Sequence, residues 1–222
     1  MNKEKFDQLG TEGFNRIPVY RSVLADLDTP LSVYLKLAEG TDSYLFESVE
    51  GGETWGRYSI IGLPCQRRYT VRGNTLFVSD HGHRVSEETV SDPLERIAEL
   101  QKEFKVPRLD DLPLFSGGLV GYFGYETVQL IEPKLACGEK KDDLGTADIE
   151  LLLSEEIAVL DNLEGRLWLI VHADPGQPEA FNHAQQRLDE IEQRLRSAST
   201  GYGLRLSGEA VEEGDFSYGF NR

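Results

Sequence analysis

The spacing of apolar residues along the chain changes several times, and each change marks an element. Ile17-Pro-Val-Tyr-Arg21 reads as a short strand at a sheet edge, because Pro18 has no N–H to give a central ladder. The 28 residues that contain it read otherwise as a partly extended arm. Thr29 then caps a helix that opens on Pro30 and closes at Gly40, with Leu31, Tyr34, Leu35 and Ala38 recurring three and four apart as its buried face. A strand follows at Tyr44–Val49, a turn at Gly51-Gly52 and a second strand at Tyr58–Gly62. Arg67–Arg72 and Thr75–Ser79 form a hairpin across Gly73-Asn74, with a further short strand around Arg84 and Val85. Asp92 caps a helix that begins at Pro93, carries Leu94, Ile97, Ala98, Leu100 and Phe104, and ends before Pro107.

The second half of the chain is richer in long strands. Phe115–Tyr125 holds glycines at 117, 118, 121 and 124 among apolar and aromatic residues, the pattern of a strand that another backbone approaches closely. Its spacing fits neither the dinucleotide fingerprint nor the Lys-terminated phosphate loop. Ile149–Leu160 and Arg166–Ala173 read as two strands of a hairpin joined by Asp161-Asn-Leu-Glu-Gly165. Pro178 opens a helix to about Ser197 with an apolar stripe of Phe181, Ala184, Leu188, Ile191 and Leu195. From residue 198 to 214 the composition turns Ser-, Gly- and Glu-rich, as in a linker. Asp215–Arg222 then reads as the start of another element, so the sequence has the look of one part of a longer protein. The expected fold class is α+β, a mainly antiparallel sheet with helices on its outer face.

Charge and composition narrow the function classes. With 39% hydrophobic and 28% charged residues the chain fits a globular protein, and a formal charge of −16 argues against general nucleic-acid binding. No apolar run approaches the ~20 residues of a membrane helix. Met1–Phe6 lacks the apolar core of a secretion signal, so a cytoplasmic setting is expected. Cys65 and Cys137 are too few and too far apart for a disulfide framework or a metal knuckle, and read as free thiols. His81 and His83 fall in a turn beside Asp80, where solvated imidazoles outweigh a ligand pair. Carboxylate pairs such as Asp142-Asp143 and Glu155-Glu156 read as solvated surface, and no nucleophile elbow or Cys-His pair is present. No catalytic or metal-binding residue is assigned.

One constellation stands out. Across the Gly51-Gly52 turn, the strand ending Leu45-Phe-Glu-Ser48 and the strand beginning Gly56-Arg-Tyr-Ser59 bring a carboxylate, a hydroxyl and a guanidinium close together. Those groups suit a free amino acid, whose ammonium needs an acceptor and whose carboxylate needs donors. An ordinary half-buried hairpin with surface polar groups is the alternative at this point.

The segments Thr29–Lys36, Tyr44–Ser48, Gly56–Gly62, Phe115–Tyr125 and Asp142–Asp148, taken in order, resemble the N-terminal domain of anthranilate synthase component I. The resemblance runs from about residue 10 to the end, and its order is more specific than any single motif. It implies an N-terminal domain at 29–197 that completes a layered α/β/β/α sandwich. It also implies a lead-in at 215–222 to a chorismate-binding domain. Full-length members are lyases that form anthranilate from chorismate with Mg2+, using ammonia from a glutamine amidotransferase partner. Their catalytic and metal residues lie in the C-terminal domain, so this chain alone is expected to be inactive. The resemblance further implies an L-tryptophan feedback site shared with that domain, here at Phe46, Glu47, Ser48 and Arg57. Phe46 stands where relatives more commonly carry Leu, which would reshape the indole pocket. Two other readings remain at this level: the aminodeoxychorismate synthase branch, and a freestanding amino-acid-binding module.

Overall fold

A computed structural model describes residues 1–47, 56–135 and 144–197, and these form two five-stranded antiparallel sheets with helices packed on them. The elements in chain order are α1 (Lys3–Thr11), β1 (Ile17–Leu24), α2 (Pro30–Leu37), β2 (Tyr44–Phe46), β3 (Tyr58–Gly62), β4 (Arg67–Arg72), β5 (Thr75–Asp80) and β6 (His83–Thr89). Then come α3 (Pro93–Glu103), β7 (Gly118–Phe123), the short α4 (Val128–Ile131), β8 (Ile149–Ser154), β9 (Glu156–Asp161), β10 (Arg166–Ala173) and α5 (Ala180–Ser197). The α+β class with mainly antiparallel pairing is therefore as expected.

The first sheet runs β1-β10-β9-β3-β2 and the second β6-β5-β4-β8-β7. One face of the first sheet is sealed by α1, α2 and α5. Ile17, Val19, Ile61, Ala158, Leu160, Leu167 and Leu169 meet Phe6, Leu9, Val33, Leu37, Leu188 and Ile191 in one core. The second sheet buries Tyr69, Val71, Leu76, Ile149 and Leu151 against Ile97 and Leu100 of α3.

Four features depart from the sequence reading. The N-terminal 28 residues are not an arm. Asn2 accepts a hydrogen bond from the Lys5 amide at 2.9 Å and caps α1, while β1 pairs along its whole length with β10. Pro18 does lie on a sheet edge, as its missing N–H requires. The run 149–160 is not one strand, because the chain leaves the second sheet at Ser154 and enters the first at Glu156. The crossing is clamped: Glu155 accepts from Arg16 Nε at 2.7 Å, and Glu156 accepts from Arg187 Nε and Nη2 at 2.9 Å each. Glu155 and Glu156 are thus ion-paired carboxylates and not merely solvated ones.

Around α2 the core takes Val33, Leu37 and Ala38 with Tyr34 packed on it, while Leu31 and Leu35 face water. The helix packs against α5 and β3, and that contact keeps Tyr34 and Ala38 of the predicted stripe and replaces Leu31 and Leu35 by Val33 and Leu37. The glycine reading is upheld by geometry: a Cβ at Gly121 would stand 1.9 Å from the Glu150 carbonyl oxygen, so β8 crosses too near for any side chain. Asp142, Asp143 and Cys137 lie outside the described residues.

Candidate effector site on the open sheet face

The first sheet has a second face that no helix among the described residues covers. Cross-strand register puts Phe46 beside Ile60, Ile60 beside Val159, Val159 beside Trp168 and Trp168 beside Ser22, one continuous row over five strands. Strand alternation places Tyr44, Tyr58, Asp161, Arg166, Ile170 and Tyr20 on the same side. Leu112 and Phe115 from the loop before β7 pack on part of this surface. The remainder stays open, with Phe46 52% and Leu24 77% exposed.

Of the sequence-predicted residues, Phe46 lies at the β2 end of this face and Arg57 stands just before β3, and no contact among the described residues joins the two side chains. β2 is the edge strand, and Phe46 ends its described ladder. The Phe46 ring leans on Tyr44, centroids 5.0 Å apart, and leaves its outer side to solvent. Tyr44 itself is anchored: its ring lies over Gly62, where a Cβ would be 2.0 Å away, and its hydroxyl meets Ser154 Oγ at 2.7 Å. Burial pushes the Tyr44 phenol up to about 12, so it stays protonated. Glu47 is exposed just past the strand end. Ser48 lies outside the described residues.

Arg57 immediately precedes β3 and is already engaged. Its Nε and Nη2 donate to Asp161 Oδ2 at 2.9 and 2.6 Å, and Nη2 also donates to Glu164 Oε1 at 2.8 Å. Among the described residues Nη1 has no hydrogen-bond partner, so that nitrogen is the donor available to a ligand carboxylate. The guanidinium also stands over the Tyr58 ring at 5.0 Å. Burial alone would raise the Asp161 carboxyl. Arg57 and the Glu164 and Leu163 amides outweigh burial and hold it below the usual carboxylate range.

Next to Arg57 the face dips into a cleft of about 470 Å3 lined by Tyr20, Trp168, Arg57, Asp161, Asp111 and Leu112 among others. Tyr20 and Trp168 meet edge-on with centroids 5.8 Å apart, and the Tyr20 hydroxyl donates to Asp111 Oδ2 at 3.1 Å. Aromatic walls with carboxylates and guanidiniums at the rim suit a small amphoteric aromatic ligand. Sequence reasoning missed Asp161, Tyr20, Trp168 and Asp111. Asp161 was legible only as a turn residue, and the others needed the strand register.

Cys65 is a free thiol, as read, and burial pushes it up to about 11, which leaves it unreactive near neutrality. His81 is an exposed turn residue whose Nδ1 lies 2.7 Å from Asp80 Oδ1. Among the described residues, no group of three or more His, Cys, Asp or Glu side chains is arranged to hold a metal ion. Mg2+ therefore has no fitting site among them. No helix among them is long and apolar enough to cross a membrane.

Comparison with known proteins agrees with the motif reading. The chain is 45% identical to anthranilate synthase component 1 of Pseudomonas aeruginosa over 223 residues, covering all of this chain and 45% of that protein. It is 47% identical to the Neisseria meningitidis serogroup C protein of the same name over 201 residues, covering 89% of this chain and 41% of that one. The chain thus spans less than half the length of the curated relatives it matches. No protein-family model matches it. The crystal structure of anthranilate synthase component I from Streptococcus pneumoniae TIGR4 shares the fold, with a TM-score of 0.53 and 22% identity, over 80% of this chain and 37% of that one.

Proposed function

The chain belongs to the anthranilate synthase component 1 family, and from that premise we propose that it is the regulatory and scaffolding part of a lyase that forms anthranilate from chorismate. The observation that supports this reading is the exposed end of the edge strand β2, where Phe46 and Glu47 face solvent, while Arg57 enters the neighbouring strand β3 held by Asp161. L-Tryptophan is the proposed ligand. Glu47 or a nearby carbonyl accepts from its ammonium, Ser48 fixes one polar end, and Arg57 offsets the carboxylate. The Phe46 ring forms one wall for the indole.

The rest of the pocket comes from a C-terminal chorismate-binding domain, reached through the linker 198–214 and entered at 215–222. A ligand held by both parts binds only one relative placement of them, and so shifts the equilibrium by its differential affinity. Catalytic and Mg2+-binding groups are assigned to that second domain, and ammonia to a glutamine amidotransferase partner. This chain alone is inactive on that reading. The proposed setting is the cytoplasm.

The test is anthranilate fluorescence from the full-length protein given chorismate, Mg2+ and ammonia. The reaction should proceed and L-tryptophan should inhibit it. Ser48→Ala and Glu47→Gln should each raise the inhibitory concentration at least tenfold, a loss of about 1.4 kcal/mol of effector binding. Failure to form anthranilate, or undiminished inhibition in both variants, would contradict the proposal.

A further inference from the structure

Two consecutive residues of the turn between β9 and β10 grip the segment that enters β3, and nothing in the motif reading gave them a role. Asp161 is 2% exposed and divides its carboxylate between two tasks. Oδ2 takes the Arg57 guanidinium at 2.6 Å, while Oδ1 accepts from the Leu163 and Glu164 amides at 3.1 and 3.2 Å. Asn162 grips the backbone itself: its amide donates to the Arg57 carbonyl at 2.8 Å. Its Nδ2 donates to the Gly56 carbonyl and to Ser59 Oγ, both at 3.2 Å. Residues 56, 57 and 59 are thus all tied to 161 and 162, and Ser59 is fully buried.

We propose that Asp161 and Asn162 are positioning residues of the effector site, fixing where Arg57 and the entry to β3 stand relative to the ligand. The inference rests on reading the end of β2 and Arg57 as parts of the L-tryptophan site. A guanidinium on a flexible stem loses rotamer freedom when it binds a carboxylate, and that loss weakens the contact. Asp161 removes most of that freedom beforehand by taking Nε and Nη2 together, so Nη1 is presented in one place. Because Oδ1 is tied to the turn backbone, the carboxylate cannot rotate to follow Arg57 elsewhere. Glu164, a half-exposed second acceptor on Nη2, reinforces the same placement without the backbone tie.

The consequence is an energetic dependence that a general stabilising role would not produce: Asp161 should matter for the effector only through Arg57. A double-mutant cycle on the full-length protein reads this directly. L-Tryptophan inhibition is measured as a fraction of each variant's own uninhibited rate, alongside binding by calorimetry. Asp161→Asn and Arg57→Gln should each raise the inhibitory concentration at least tenfold, and the double variant should be no worse than Arg57→Gln alone. Asp161→Glu should recover part of the loss, since the longer carboxylate still reaches the guanidinium.

The inference fails if Asp161→Asn keeps an inhibitory concentration within twofold of the unmodified protein, or if the two effects multiply. Should Asp161→Asn not fold, Asn162→Ala carries the same test, with a tenfold weakening expected and a change under twofold overturning the idea. If the unmodified protein neither binds nor responds to L-tryptophan, it is the effector-site reading that fails, and the inference goes with it.

Discussion

Asp161, His172 and Gly62 show how single residues set the condition of the open sheet face. His172 lies in β10 beside Pro18 at the sheet edge, and its Nε2 donates to the Ser116 carbonyl at 2.6 Å. Loss of hydration lowers its pKa below the ordinary 6.5, more than the Ser116 bond raises it. A histidine kept neutral in the fold binds its proton more readily when unfolded. Stability should therefore be fully present above pH 6.5 and fall as pH drops below it toward the lower folded value. Denaturant midpoints at pH 7.5 and 5.5 should show that fall, and His172→Gln should flatten it.

The Asp161 carboxyl is lowered as well, in its case against the effect of burial, by Arg57 and two turn amides. Its contribution is complete above its unfolded value of 3.8 and disappears as pH falls through the lower folded one. Gly62 has no side chain because the Tyr44 ring occupies that space. Gly62→Ala should displace Tyr44 from Ser154 and cost about 1–3 kcal/mol, the usual range for overpacking. An unchanged urea midpoint would show that the ring moves freely. Asp161 and His172 act through Arg57 and Ser116, 104 and 56 positions away in sequence, and local pattern carries no information on such partners.

At the level of elements, periodicity located most helices and strands and the buried faces of α3 and α5, but only half of the face that α2 buries. α2 has apolar residues on more than one side, and its spacing alone could not choose between Leu31–Leu35 and Val33–Leu37. Packing on α5 and β3 decided for the second pair. Leu37→Ala should therefore cost about 2–5 kcal/mol as a buried truncation. Leu35→Gln, on the 39%-exposed position, should stay within about 0.5 kcal/mol. Equal effects in chemical denaturation would mean that α2 is turned the other way. The break at Glu155 was equally hidden, since a strand that changes sheets keeps its β pattern while its partners change. Helix α1 escaped notice because its nine residues present only Phe6 and Leu9 as buried positions.

For the whole molecule, the decisive feature is the unequal covering of the first sheet. One face carries three helices and a closed core. The other bears Phe46, Ile60, Trp168 and Tyr20 with, among the described residues, Leu112 and Phe115 laid across part of it. The fold class was legible because strand alternation and helix stripes each mark one buried side. The open face was not, since its residues read as ordinary core positions until register assembled them on one surface. The candidate site was half legible. The hairpin motif drew attention to Glu47 and Arg57, while the cleft of Tyr20, Trp168 and Asp111 depends on strands far apart in sequence.

The central claim is that this chain supplies part of an amino-acid pocket whose remainder belongs to a second domain. Calorimetric titration of L-tryptophan into the full-length protein and into the 222-residue chain tests it most directly. The expected result is saturable binding to the full-length protein and affinity at least tenfold lower for the chain by itself. Equal affinity in the two would contradict the claim, because the pocket would then be complete within this chain.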